Sequence, residues 1–185
     1  MTEELRRLMV ELQAGGVLVT YGLDDDTDGK TDEGLVIAVS PEVVVFQLVN
    51  HTLDLDGYAA VRLSSICWAE ESEHSAARLR VLERRAQSAH PIAFPVATML
   101  AVLQRLASTG QLVSVSDDDP DIAWVGVLQH AADGAALISL VTPSGIRDGV
   151  VTVPTTNISV VEWGNRYLDA VLIMLEMSPE NQTDD

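Results

Sequence analysis

The sequence predicts a mainly β fold with flanking helices (α+β): two tandem five-stranded small barrels, each with a leading and a closing helix. Three observations carry this. First, the chain repeats itself at an offset of 92, so that Glu33 to Glu70 aligns with Val125 to Glu162 across 38 positions without a gap. The identities are Gly34/Gly126, Leu48/Leu140, Val49/Val141, Asp56/Asp148, Gly57/Gly149, Val61/Val153, Ile66/Ile158 and Glu70/Glu162, and apolar positions such as Val45-Phe46 and Leu137-Ile138 also correspond. Second, short runs rich in β-branched residues are punctuated by turn formers. Third, apolar stripes at helical spacing precede and follow each set of runs.

The elements follow in the same order in each copy. Leu5, Leu8, Met9 and Leu12 form a helical stripe, repeated by Met99, Val102, Leu103 and Leu106. Gly15-Gly16 and Thr109-Gly110 end these helices, because glycine tolerates a left-handed stop. Five strands are predicted over 17–22, 34–40, 43–49, 58–63 and 66–69, with counterparts over 111–116, 123–129, 135–141, 150–153 and 157–161. Ser40-Pro41-Glu42, Ala132-Asp133-Gly134 and the two Asp-Gly pairs read as turns between them. Upstream of Glu33 the offset becomes 94, matching Leu18-Val19 with Leu112-Val113, and the change falls in an acidic loop where an insertion costs little. Closing helices are predicted over 73–87 and 165–177. Residues 1–88 thus form one unit, 89–95 a proline-bearing linker, 96–177 a second unit and 178–185 a disordered acidic tail. Five strands with about three residues between the fourth and fifth are a recurrent way to close a small barrel.

Composition narrows the function. The 28 acidic against 11 basic side chains give a net charge of −17, which repels nucleic acid and anionic membranes and favours basic or neutral partners. The lone cysteine, Cys67 in Ile66-Cys67-Trp68, excludes an internal disulfide and is expected as a buried thiol in a reducing compartment. No charged, apolar leader opens the sequence and no apolar run approaches the roughly 20 residues needed to cross a bilayer, so a cytoplasmic location is expected.

The run from Gly57 to Ile66, echoed by Gly149 to Ile158, resembles the end of an Sm-like or SH3-like barrel, and the leading helix favours the Sm-like form. The segment 117–121 with Val125-Gly126, Asp148-Gly149 and Arg166-Tyr167-Leu168 is similar to an uncharacterised group of bacterial proteins built from such units. The Sm-like resemblance implies RNA binding through the loop after strand two and the loop between strands four and five. The sequence departs from the family at both. Of Ser40-Pro41-Glu42 and Ala132-Asp133-Gly134, only Asp133 matches the family's acidic or amide position, and Ser64-Ser65 and Thr156-Asn157 stand where the family carries a basic residue and glycine.

Two kinds of site are candidates. Asp24, Asp26, Asp28 and Gly29 occupy positions one, three, five and six of a calcium-loop pattern, in which alternating carboxylates converge on a hard cation. The closing glutamate is missing, and Asp32 or Glu33 would have to complete the site; the competing reading is a solvated acidic hairpin loop. The other candidates are contact surfaces. Val171, Leu172, Met174 and Leu175 lie in a stretch apolar on every side, which is expected to be buried from two directions, by packing between the barrels or by a homodimer seam. Arg78, Arg80, Arg84 and Arg85 give the first closing helix a basic character that suits either local ion pairs or an acidic partner. Trp68, Trp124 and Trp163 read as packing residues.

His51, His74, His90 and His130 lie in unrelated segments, and neither a nucleophile elbow nor a phosphate-binding glycine loop occurs, so no catalytic residue and no cofactor are predicted. The leading expectation is a non-catalytic protein-interaction module with an acidic surface, of which an inhibitor or immunity-type protein is one form, acting through a protein partner or self-association. A calcium-regulated module using the segment from Asp24 to Glu33 is the alternative, and Sm-like RNA binding the third.

Overall fold

The computed structural model describes residues 2–23, 31–94, 96–117, 122–132 and 134–178. The chain divides into two compact units, residues 1–99 and 100–185. Each is mainly antiparallel β with a helix before and after its strands.

Unit 1 opens with α1 (Thr2–Gly15), which buries Met9 from its predicted stripe and stops where Gly16 takes a positive φ of 59°. The strands are β1 (Leu18–Gly22), β2 (Thr31–Val39), β3 (Val43–Val49), β4 (Leu55–Arg62) and β5 (Trp68–Glu71), followed by α2 (Ser75–Arg84). They pair in the order β5-β1-β2-β3-β4. Leu18, Leu35 and Val49 pack with Leu82 of α2. The rings of Tyr21 and Phe46 stack at 4.1 Å in the core.

Unit 2 repeats the order with α3 (Met99–Thr109), β6 (Leu112–Ser116), β7 (Ala123–Ala132), β8 (Ala135–Val141), β9 (Arg147–Pro154), β10 (Val160–Trp163) and α4 (Arg166–Met177). Its strands pair as β10-β6-β7-β8-β9. The ladders keep the sequence offset. Gly34 opposes Leu48 as Gly126 opposes Leu140, and Phe46 opposes Ala59 as Ile138 opposes Val151. Val19 opposes Glu71 as Val113 opposes Trp163. Even the irregularities recur: β2 shifts register between Val36 and Ala38, and β7 between Leu128 and His130. The glycine shared by both copies has a steric cause. A Cβ at Gly34 would stand 2.6 Å from the Gln47 carbonyl oxygen across the ladder, and one at Gly126 would collide with that of Ser139.

Three expectations are corrected. Among the described residues neither unit closes into a barrel: β5 pairs with β1, β10 with β6, and no ladder joins β4 to β5 or β9 to β10. The connections are 3-10 turns, Leu63–Ser65 and Thr155–Asn157, without the positive-φ residues of a tight hairpin, so they redirect the chain instead of folding it back on the preceding strand. The Asp-Gly pairs are not turns. Gly57 (φ 74°) and Gly149 (φ 82°) lie inside β4 and β9, opposite register shifts at Gln47/Val49 and Ser139/Val141, and bulge the strands. The hairpin turn of unit 1 is instead at Asn50 to Asp54, where Leu53 N–H donates to the Asn50 carbonyl. Cys67 is exposed, because Ile66 takes the buried position and the next residue of the extended chain faces away.

Among the described residues, no helix is long and apolar enough to cross a membrane.

Candidate functional site

The arginines of α2 divide into two pairs. Arg78 reaches down to β2 and forms an ion pair with Glu33 at 2.5 Å, the two side chains being 31% and 12% exposed. Glu33 Oε1 and Arg78 Nε are buried with no hydrogen-bond partner among the described residues. Arg85 braces the β3–β4 turn: its Nη1 donates to the carbonyls of Thr52 (2.7 Å) and Leu53 (3.0 Å) and to Asp54 Oδ1 (2.9 Å). Gln87 joins it, accepting from Leu55 N–H and donating to Asp54. Arg78 and Arg85 thus serve the fold of unit 1, whereas Arg80 and Arg84 are exposed.

The same ion pair bears on the acidic loop. Glu33 and Asp32 are successive residues of β2, so their side chains leave opposite faces of the sheet and do not converge on one cation. Asp24, Asp26 and Asp28 lie outside the described residues. Among the described residues, no three His, Cys, Asp or Glu side chains are grouped to hold a metal ion.

Unit 2 replaces the charged contact with an apolar one. The repeat partner of Glu33 is Val125, which packs against the cluster Leu112, Val141, Leu168, Val171 and Leu175. A second exchange surrounds the turn. Leu53, held at φ 58°, joins the apolar cluster against α2; its counterpart Gly145 (φ 76°) has no side chain, and the α4 backbone at Met174–Leu175 comes so close that a Cβ would collide with it. In unit 1 a groove of about 340 Å³ remains between the end of α1, β2 and α2, floored by Leu35, Ile37, Leu55 and Leu79 and edged by Gln13 and Gln87. No residue pattern marks this groove, since it depends on how far α2 stands off the sheet.

Asn165 starts α4, its side-chain oxygen accepting from Leu168 N–H at 2.9 Å. Of the four predicted interface residues, Val171 and Leu175 are core, together with Leu168, while Leu172 and Met174 are exposed. In the single chain Tyr167, Ile173, Met174 and Met177 are 48, 56, 47 and 70% exposed. Ile173 and Met177 were legible as surface candidates from their spacing, because they fall on the helix face opposite Leu168, Val171 and Leu175.

Comparison with known proteins finds no matching family model, no similar curated protein and no similar solved structure.

Proposed function

We propose that the protein is a non-catalytic protein-interaction module, built from two tandem small barrel-like units of Sm-like kind, that presents an acidic surface to a basic protein partner. The observation that carries this reading is the fate of the cations. Of eleven basic side chains, Arg6, Arg7, Arg62, Arg78 and Arg85 are engaged by Glu3, Glu42, Glu33 and Asp54 within the chain. The net charge of −17 already counts all eleven cations, and each pairing takes up a carboxylate along with an arginine, so the surplus that the surface carries stays acidic. Such a field steers a basic partner and raises its association rate. An inhibitor of a basic nuclease is one form this takes, since competing with nucleic acid calls for negative charge.

The immobilised full-length chain, exposed to an extract of its native cell at low salt, is expected to retain a basic protein that moderate salt releases. Retention of no basic protein, or of the same proteins whatever the salt, contradicts the reading.

A further inference from the structure

Helix α4 carries two apolar seams. Leu168, Val171 and Leu175, spaced by three and four residues, face the sheet of unit 2. Tyr167, Ala170, Met174 and Met177 repeat the three-four-three spacing on the outer side, with Ile173 beside them, and all five are exposed. This second seam has the periodicity by which two helices pack along their length, and the core of its own unit does not need it. The turn residue Ile146, also exposed, extends the patch, because the adjoining Gly145 lies against the α4 backbone at Met174.

We infer that this face binds a second copy of the chain, α4 against α4 in antiparallel array about a twofold axis. This goes beyond the reading of a basic partner and does not depend on it. An antiparallel array places opposite dipole ends of the two helices side by side. Area supports a second copy as the occupant. Taking roughly 200 Å² for a large side chain, the exposed fractions of Tyr167, Ile173, Met174, Met177 and Ile146 leave about 500 Å² of apolar surface on each copy. Two copies bury about 1,000 Å², the size at which a weak but specific interface begins. A patch this large is at the upper end of what a monomer exposes. Because the interface is apolar and each chain carries −17, salt strengthens the dimer by screening the repulsion between copies. That is the opposite of its effect on a complex with a basic partner.

Sedimentation equilibrium of the full-length chain, from about 1 to about 500 µM in low and moderate salt, tests this. The expected result is a monomer–dimer equilibrium with a Kd in the tens of micromolar that tightens as salt is added. Ile173→Glu with Met177→Glu, both on the exposed side, raises the Kd at least tenfold while circular dichroism stays unchanged. A chain that is monomeric throughout, or a double-glutamate variant that dimerises as well as the parent, overturns the proposal.

Discussion

Replacing Glu33 and Arg78 together by valine gives unit 1 the kind of contact unit 2 already has at Val125, and the two single replacements separate the charges from the packing. In Arg78→Val, Glu33 keeps its charge at 12% exposure with no cation beside it. Breaking a fully buried pair costs about 3–5 kcal/mol, and the partial exposure of Arg78 lowers this to about 2–3 kcal/mol. Glu33→Val is milder, about 1 kcal/mol, because the arginine stem bends its head toward water. The double variant removes both charges along with the two polar atoms that lack partners, each of which costs about 1–3 kcal/mol to leave unsatisfied. It also buries two valines, so its stability should match or exceed the parent by about 1 kcal/mol. The coupling between the positions is then about 3–5 kcal/mol, well beyond additivity. Urea unfolding of the four proteins, followed by circular dichroism, gives the cycle, and hydrogen exchange at the β1 and β2 amides localises the change to unit 1. A double variant as unstable as the sum of the singles would refute the reasoning, because the apolar contact of unit 2 would then not substitute for the ion pair.

Further outcomes concern glycines and a carboxylate. Gly145→Ala meets both a positive φ and the α4 backbone, so it should cost about 3 kcal/mol or more and detach α4, seen as faster exchange of its amides. Gly22→Ala places a methyl 2.7 Å from Cε2 of the Trp68 indole, which should swing outward and shift its emission to the red in a chain whose other two tryptophans are phenylalanine. A side-chain hydrogen bond from Arg6, helped by the charges of Arg6 and Arg7, holds the Glu3 carboxyl at about 2 against its ordinary 4.5. That pairing supports α1 above pH 4.5 and is lost as pH falls toward 2. An NMR titration should show the low value in the parent and a return toward 4.5 in Arg6→Ala. Burial raises the Tyr58 hydroxyl above 10, so its contribution is present below pH 10 and lost on further alkalinisation, measurable by ultraviolet titration.

The parts of the fold that read well from sequence are those set by local chemistry. The leading helices, their glycine stops and the first four runs of β-branched residues per unit overlap the predicted segments, the fifth strands start two to three residues later than expected, and the offset of 92 carries through the ladder register. What misled was identical sequence with two physical uses. Asp-Gly serves a tight turn and a bulge equally well, and only the partner strand, one residue out of step at Gln47/Val49, decides for the bulge. Barrel closure depends on where a 3-10 turn aims the chain, which no residue type states. The arginines of α2 and its C-cap illustrate the same limit at the site: composition marks four cations there, but which of them meets the sheet depends on how the helix is seated, which puts Arg78 over Glu33. In α4 the all-apolar stretch was visible, whereas its division into a buried and an exposed seam follows from Gly145 letting the helix seat directly on the β8–β9 turn.

The central claim, that an acidic surface recruits a basic protein, is tested most directly by the salt dependence of the affinity for the partner captured from the native cell. Titration calorimetry with the purified partner from about 50 to about 300 mM salt should show the Kd weakening at least tenfold, as charge-steered complexes do. An affinity that is flat, or that tightens with salt, would contradict it.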